Sequence, residues 1–269
     1  MIYFPPCKIN LGLQILKKRN DGFHEIESAM LEIPFYDALE VVEADSLSFR
    51  SSGLEIPGRG NLCTDAFQLL QQDFAIPPVA IHLHKVIPMG GGLGGGSSDG
   101  AKTLVALRDL FHLEITKAKL REYAAELGSD CPFFIDGGLQ LATGRGELLE
   151  KLSLRLPAIH IVLVNAGIHV PTKDAYAHVV PNPDQKPLTE LLNAGLEFWK
   201  GHLVNDFEQS VFQQHPVLAD VKADLYKAGA SYAAMSGSGS TLFGLFTEKP
   251  AAISWSKQPV FERWTFITN

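Results

Sequence analysis

The segment of this sequence best suited to chemistry is a glycine-rich run at residues 88–99, in which positions 90–96 hold six glycines and one leucine. Glycine loses the most conformational freedom on folding, so such a run is expected where the backbone must curve closely around a ligand. The residues before it alternate like a strand, and those after it are spaced like a helix. The run is therefore expected to bind phosphate groups through the amides and the positive dipole at the N-terminus of that helix.

A flexible linker is the alternative interpretation of the run, but linkers are not flanked by a strand and a capped helix. Ser97 and Ser98 follow the glycines and are expected to cap the helix, because a serine hydroxyl accepts hydrogen bonds from first-turn amides. The residues expected at the phosphate site are Pro88, Met89, Gly90, Gly91, Gly92, Leu93, Gly94, Gly95, Gly96, Ser97 and Ser98.

Two common nucleotide motifs do not account for the run. A Walker A loop ends in Gly-Lys-Ser/Thr, whereas Gly96 is followed by two serines and an aspartate, with no lysine. A dinucleotide fingerprint matches at Gly90, Gly92 and Gly95, and Glu114 lies near the position of its acidic residue. Glu114, however, falls between two helical patterns rather than after a second strand, so the parallel βαβ unit of that fold is missing.

The elements that must position the run are indicated by hydrophobic spacing. Apolar and polar residues alternate in the first third of the chain, as in half-buried strands, and the period becomes helical after the run. Asn61 and Thr116 stand where helices begin, and Gly128 stands where one ends. Strands are predicted at residues 9–15, 38–43, 47–50 and 79–83, and helices at residues 61–70, 101–111 and 116–127.

A second region begins near Leu156 and mixes one helix with several short strands, which is an α+β pattern. Its elements are predicted at residues 159–164, 217–225, 232–235 and 241–246, with a serine- and glycine-rich turn between the last two strands. We therefore predict an N-terminal domain at residues 1–155 and a C-terminal domain at residues 156–269.

Composition limits the classes of function. The chain has 269 residues, of which 46% are hydrophobic and 20% charged, so it can bury a sizeable core. The formal net charge is −7, and no cluster of lysine and arginine provides the basic face that nucleic-acid binding requires. Nucleic acids and anionic membranes are therefore not expected as partners.

Cysteine usage and the N-terminus indicate an intracellular protein. Cys7, Cys63 and Cys131 are odd in number and widely spaced, which favours neither disulfides nor a zinc site. The first residues lack a basic segment, and Pro5 and Pro6 interrupt their apolar stretch, unlike a signal peptide. No stretch approaches the roughly 20 apolar residues of a membrane span. The cytoplasm is the expected location.

Three further segments make the interpretation specific. They are Pro6-Cys-Lys-Ile-Asn-Leu-Gly-Leu13 with Arg19-Asn-Asp-Gly-Phe-His24, then Gly128-Ser-Asp-Cys-Pro-Phe-Phe134, and finally Met235-Ser-Gly-Ser-Gly-Ser240. With the glycine run, these resemble in order the motifs of the GHMP small-molecule kinases, over nearly the whole chain. The resemblance implies the GHMP kinase fold, with a ribosomal-S5-like α/β domain followed by a ferredoxin-like α+β domain.

The first and third of these segments look most like the branch of this family that acts on a cytidine diphosphate derivative of methylerythritol. Within the first, Lys8-Ile-Asn-Leu11 and Asp21-Gly-Phe-His24 separate that branch from mevalonate, homoserine and galactose kinases. The resemblance implies that ATP phosphorylates the tertiary 2-hydroxyl of that substrate, in the non-mevalonate route to isoprenoids. It further implies that Asp130 accepts the hydroxyl proton and that Lys8 keeps Asp130 ionised or neutralises developing charge. Taken singly, Lys8 could be a solvated strand residue and Asp130 a turn residue.

The resemblance also implies residues for the acceptor substrate. Phe23 and Tyr176 are expected to stack on cytosine, while His24 and Asn10 are expected to hydrogen-bond the base or the phosphates. The family usually has tyrosine in place of Phe23, so the ring is kept and the hydroxyl is lost. Ordinary core packing is the alternative role for Phe23 and Tyr176.

Other implied contacts are less specific. Asn61 lies where the family approaches adenine, although it could be a helix cap only. Ser238 and Gly239 are expected to support the phosphate loop or the substrate, although a simple hairpin turn would also explain them. Mg²⁺ is expected to arrive with ATP, and no resident metal site is assigned to this chain.

Several alternatives remain open at this point. The chain could be a kinase of the same superfamily acting on a mevalonate-like or homoserine-like alcohol, or a protein that senses ATP without catalysis. His82 and His84 share a strand face and could bind a metal, but no third ligand is evident nearby. A monomer or weak homodimer is expected. Gly100, in the first helical turn, is expected to loosen the helix by up to ~1 kcal/mol relative to alanine.

Overall fold

The computed structural model describes residues 1–56, 58 and 60–268, so residue 269, at the end of the predicted C-terminal domain, lies outside the described residues. The strands are β1 (Ile2–Tyr3), β2 (Pro6–Lys18), β3 (His24–Tyr36), β4 (Ala38–Glu43), β5 (Ser48–Gly53), β6 (Val79–Lys85), β7 (Leu139–Thr143), β8 (Leu148–Lys151), β9 (Ile159–Asn165), β10 (Tyr232–Met235), β11 (Leu242–Phe246) and β12 (Phe261–Ile267). The helices are α1 (Leu62–Asp73), α2 (Gly95–Leu110), α3 (Lys117–Leu127), α4 (Phe133–Asp136), α5 (Thr172–Ala177), α6 (Leu188–Asn193), α7 (Leu196–Trp199), α8 (Phe207–Gln214) and α9 (Pro216–Lys227).

The chain divides into two compact units that are discontinuous in sequence. Unit 1 comprises Met1–Lys8, Phe35–Met89 and Gly94–Gly137, and unit 2 comprises Ile9–Pro34, Gly90–Leu93 and Gly138–Asn269. The glycines are therefore divided between the units: Gly90–Leu93, which we call the first half of the run, belong to unit 2, and the residues from Gly94 onward, its second half, belong to unit 1. The predicted domain boundary between residues 155 and 156 stays a prediction about folding units.

Unit 1 is built on a four-stranded sheet with the order β1-β4-β6-β5. β6 pairs antiparallel with β4 and parallel with β5. Buried and more exposed residues alternate along β6, so that Val79, Ile81 and Leu83 are buried, as expected for a strand with one covered face. The Asn61 side chain accepts hydrogen bonds from the amides of Cys63 and Thr64, which confirms the predicted start of α1.

Helices α1 and α2 approach each other closely at Gly100. A Cβ added at Gly100 would lie 2.7 Å from the Cβ of Leu62 in α1. The loosening of the helix expected from Gly100 stays a prediction, and the intrinsic helix preference of alanine at this position would be opposed by the steric overlap with Leu62. Glycine at position 100 allows the two helices to pack.

Unit 2 contains two four-stranded sheets, with the orders β2-β3-β7-β8 and β10-β11-β9-β12. The pairs β3–β7, β7–β8, β9–β11, β9–β12 and β10–β11 are antiparallel. The predicted hairpin at residues 232–246 forms, with Met235 opposite Leu242. Its core joins residues of β2, β9 and α9, including Ile15, Val162 and Leu225. The predicted α+β class is confirmed.

Within the described part of the chain, none of the helices combines the length and the apolar character that crossing a membrane requires.

Candidate active site

The start of helix α2 differs from the prediction. The N-cap is Gly94, which has the left-handed backbone angles φ 69° and ψ 15° and provides no side-chain cap. Ser97 and Ser98 lie inside the first turn, so the prediction that they cap the helix is wrong. The reason is that Gly94 can adopt a conformation that other residues avoid, which lets the helix begin before the serines.

This start leaves the first amides of the helix available. The first intrahelical hydrogen bond is donated by the Ser98 amide to the Gly94 carbonyl, at 2.9 Å. The amides of residues 95–97 precede that bond and point out of the N-terminal end of the helix. The positive end of the helix dipole lies at the same end. The second half of the glycine run thus has the chemistry of an anion site.

An ion pair lies directly beside this helix start in unit 1. The Lys8 Nζ is 3.6 Å from the Asp130 Oδ2, with the Lys8 side chain 4% exposed and the Asp130 side chain 34% exposed. A Cβ added at Gly94 would lie 3.2 Å from the Lys8 Cγ. Lys8, Asp130 and the second half of the glycine run are therefore brought together, with the carboxylate open to a bound molecule.

Cys131, next to Asp130, does not have the character of a nucleophile. The residue is fully buried, and burial raises the pKa of its thiol to about 12. Because the thiolate is the reactive form of cysteine, this side chain stays protonated and unreactive at neutral pH. Within this segment the partly exposed charged group is therefore the Asp130 carboxylate.

A buried ionic cluster packs against the start of the same helix, α2. The Lys85 Nζ lies 2.7 Å from the Asp99 Oδ2 and also forms an ion pair with Asp37, and all three side chains are almost fully buried. The Asp37 Oδ1 accepts hydrogen bonds from the amides of Val86 and Ile87. Burial raises the pKa of Asp99, a change that the charge of Lys85 opposes. We call Lys85, Asp37 and Asp99 the buried triad.

The buried triad touches the helix start and was missed in the sequence. A Cβ added at Gly95 would lie 2.9 Å from the Lys85 Nζ, so the ammonium lies directly under the first residue of α2. The sequence does contain a signal for the buried triad. Buried residues alternate along β6, and Lys85 takes the next buried position after Leu83. A lysine in that phase must be paired, since an uncompensated buried charge is costly.

The first half of the glycine run is held by unit 2, at the turn between β10 and β11. The Thr241 amide donates to the Gly91 carbonyl at 3.1 Å, and the Ser236 hydroxyl donates to the Gly92 carbonyl at 2.8 Å. A Cβ added at Gly92, where φ is +79°, would overlap the Ser236 carbonyl oxygen. This close contact explains why glycine is required at position 92.

Three predicted substrate residues lie in the same part of unit 2. The Asn10 Nδ2 donates to the Ser28 hydroxyl at 2.8 Å, and its Oδ1 accepts from the Ser236 hydroxyl at 3.3 Å. The Ser238 hydroxyl lies 3.1 Å from the Thr172 hydroxyl. Gly239 packs on Met235, whose sulfur would lie 2.6 Å from an added Cβ.

The predicted aromatic residues form two separate contacts in unit 2. The His24 and Tyr176 rings are stacked, with centroids 5.0 Å apart and planes 19° apart, and Phe207 meets Tyr176 edge-on. The Phe23 side chain is 54% exposed, and the Arg145 guanidinium carbon lies 4.8 Å from its ring centroid. The Phe23 ring is exposed, and the Tyr176 ring already stacks on another flat ring. Both properties suit a role in binding a flat base.

The environment of His24 gives a testable pH property. Burial, with a contribution from the charge of Lys18, lowers the pKa of His24. We expect the His24 ring to titrate below ~6.5, the value of an unperturbed histidine, in a proton NMR titration. A Lys18→Gln variant should raise that midpoint toward the reference value. A midpoint above the reference, or one insensitive to Lys18, would contradict this description of the ring.

The side-chain donor atoms of the described residues determine how a metal ion could be held. The described residues include no group of three or more His, Cys, Asp and Glu side chains able to hold a metal ion. The Ser98 hydroxyl is buried and has no hydrogen-bond partner among them. Mg²⁺ usually takes one or two protein oxygens and completes its shell with water and phosphate oxygens. The donors near the helix start therefore fit an ion carried by phosphates.

Comparison with known proteins decides the family. The model of the GHMP kinases N terminal domain matches residues 61–138, and that of the GHMP kinases C terminal matches residues 181–254, together more than half of the chain. The chain belongs to the GHMP kinase family. A kinase of this family uses ATP.

Individual GHMP kinases resemble this chain along most of its length. The 4-diphosphocytidyl-2-C-methyl-D-erythritol kinase of Cytophaga hutchinsonii is 49% identical over 253 residues, which cover 93% of this chain and 94% of that protein. The kinase of the same name from Bacteroides fragilis is 46% identical over 253 residues, covering 92% of each chain. A crystal structure of 4-(cytidine 5'-diphospho)-2C-methyl-D-erythritol kinase superimposes with a TM-score of 0.78 at 36% identity, covering 91% of this chain and 90% of that one.

Proposed function

We propose that this protein phosphorylates the 2-hydroxyl of 4-(cytidine 5'-diphospho)-2-C-methyl-D-erythritol with ATP, giving the 2-phosphate and ADP. The observation that carries the proposal is the Lys8–Asp130 ion pair packed against Gly94, at the open N-terminus of α2. Relatives that are 46–49% identical along most of the chain bear the name of this kinase, which supports the choice of substrate. The reaction is a step of the non-mevalonate route to isoprenoids.

The glycine run is proposed to hold the phosphates of ATP. Its second half offers the amides of residues 95–97 at the start of a helix, and the dipole of that helix favours negative charge. Residues from Pro88 to Ser98 form this site in the proposal, with Asn61 as an adenine contact. The Asn61 side chain already accepts two amide hydrogen bonds as an N-cap, so a base would meet the part of the amide that these bonds leave open.

Asp130 is proposed as the general base. Its carboxylate is partly exposed and can accept the proton of the tertiary hydroxyl as the oxygen attacks the γ-phosphoryl group. Lys8 is proposed to orient that carboxylate and the attacking hydroxyl, and to offset charge that develops during transfer. Phosphoryl transfer depends mainly on such positioning and electrostatic stabilisation. Mg²⁺, bound through the ATP phosphates, would supply further charge neutralisation.

The cytidine part of the substrate is proposed to bind in unit 2. Tyr176 and Phe23 provide aromatic faces, His24 provides a ring nitrogen, and Asn10, Ser238 and Gly239 contribute the remaining contacts. His24 now covers one face of Tyr176, so a stacked cytosine would take its place. Exchange of one flat ring for another explains why this surface is aromatic.

Tyr176→Ala is expected to weaken the binding of CDP by about tenfold, because stacking of a base on an aromatic side chain contributes about 1–3 kcal/mol. Isothermal titration with CDP measures this change. Tyr176→Phe is the matched control, since it keeps the ring and should keep the affinity. Unchanged CDP affinity in Tyr176→Ala would refute the stacking role.

One assay tests the whole proposal. ADP release is followed with purified protein, ATP and Mg²⁺, and with one alcohol at a time: the cytidine diphosphate-linked methylerythritol, mevalonate, homoserine or none. We expect turnover with the first alcohol only. Turnover with another alcohol would reassign the acceptor, and ATP binding without turnover would indicate a sensor.

Location and assembly are part of the proposal. The three cysteines are free and buried, which suits a reducing compartment, and the cytoplasm is the proposed location. The acceptor is a small molecule, and a monomer or weak homodimer remains the proposed state.

A further inference from the structure

His169, in unit 2, lies against the first half of the glycine run and has no place in the mechanism above. A Cβ added at Gly90 would lie 3.2 Å from the His169 Nδ1 and 3.3 Å from its Cε1. Gly90 has a φ of +64°, and its missing side chain is what allows the imidazole to approach. One edge of the ring therefore rests on the backbone of the phosphate loop.

The backbone that leads into His169 is fixed by neighbouring contacts. The Asn165 Oδ1 accepts from the Gly167 amide at 2.7 Å, and the Asn165 Nδ2 donates to the Thr241 hydroxyl at 3.0 Å. The Ile168 carbonyl accepts from the Ser240 hydroxyl. Because Thr241 also binds Gly91, the segment that carries His169 and the loop are held by the same turn.

The ring itself is open to a ligand. His169 and Gly90 are both exposed, and neither nitrogen of the His169 ring has a hydrogen-bond partner within the described residues. The run at residues 88–99 contains no lysine or arginine, so its first half depends on backbone groups and on neighbouring side chains. A histidine always has at least one ring N–H, which an anionic oxygen can accept.

We propose that His169 is a further phosphate-binding residue of this kinase. Its imidazole donates a hydrogen bond to a phosphate oxygen of the nucleotide held at Gly90. This contact replaces part of the phosphate binding that a lysine provides in a Walker A loop. This inference rests on the proposed function, because it requires a nucleotide at the glycine run.

The test measures nucleotide affinity directly. We expect His169→Ala to raise the Kd of the ATP analogue AMPPNP, with Mg²⁺, by about tenfold, the scale of one hydrogen bond to a charged group. The Kd of adenosine, which has no phosphates, should not change. His169→Gln keeps an N–H donor and should recover part of the lost affinity. Lys173→Ala removes an exposed charge from the same segment and should leave the Kd unchanged.

Each other outcome has a definite meaning. Equal Kd values for AMPPNP in wild type and His169→Ala would overturn the inference, as would equal weakening of AMPPNP and adenosine, which would place the effect on the base or on the fold. Wild-type protein that does not bind AMPPNP at all would instead refute the proposed function. Thermal unfolding of each variant verifies that it is folded.

Discussion

Asp130→Asn is expected to lower kcat by at least about 100-fold, the usual contribution of a general base. The asparagine amide has the shape of the carboxylate but cannot accept the proton of the attacking hydroxyl. Asp130 is partly exposed, and its ion pair among the described residues is with Lys8, so the fold should be retained. Steady-state kinetics with the cytidine diphosphate-linked acceptor gives kcat, and thermal unfolding gives the stability.

Asp136→Asn is the matched control for this prediction. Asp136 lies six residues further along, forms ion pairs with Lys117 and Arg121, and has no proposed role in the reaction. Its kcat should stay near that of the wild type. A kcat of Asp130→Asn within tenfold of the wild type would remove Asp130 from the role of base.

The role of Lys8 can be separated by a double-mutant cycle. If Lys8 acts through Asp130, then Lys8→Gln and Asp130→Asn together should cost little more in kcat than Asp130→Asn alone, because residues that act as a unit are not additive. If Lys8 instead contacts the transferred phosphoryl group independently, the two losses should multiply. The cycle therefore distinguishes the two electrostatic roles proposed for this lysine.

Lys85→Met is expected to lower the free energy of unfolding by about 3–5 kcal/mol, the usual cost of leaving a buried charge without its partner. The methionine fills a similar volume but leaves the carboxylates of Asp37 and Asp99 facing each other in the buried triad. Equilibrium unfolding in urea measures the change. A loss below about 1 kcal/mol would show that the triad is not held together by Lys85.

Asp99→Asn is the control within the same cluster. Lys85 then keeps its ion pair with Asp37, so the loss of stability at neutral pH should be much smaller than in Lys85→Met. The comparison separates removal of the cation from removal of one of its two partners.

The pH dependence of the triad has a definite sign. The pKa of Asp99 is raised in the folded protein because the group is buried, so the folded state binds its proton more readily than the unfolded state. The stabilisation from this group is complete below the unfolded pKa of ~3.9 and is lost as pH rises through the higher folded pKa. The stability of wild type relative to Asp99→Asn should therefore increase as pH falls from neutrality toward 4.

Local signals predicted the parts of the fold that depend on neighbours in sequence. Asn61 and Thr116 cap α1 and α3 as expected, since a cap needs only the next few amides. The strand alternation before the glycine run also predicted β6. The predicted caps of α2 were wrong, because the helix begins at Gly94, which has a left-handed conformation and lies where an added Cβ would meet Phe134 and Lys8.

The sequence by itself determined the glycine run, its position between a strand and a helix, and through its motifs the membership of the GHMP kinase family. Spacing alone could not show that Lys8 meets Asp130, because 121 intervening residues separate them and only the sheet and the helices of unit 1 bring them within 3.6 Å. The same holds for Lys85 with Asp37 and for His169 with Gly90. Tertiary structure decided these contacts, since long-range packing, unlike a cap or a strand period, leaves no local pattern.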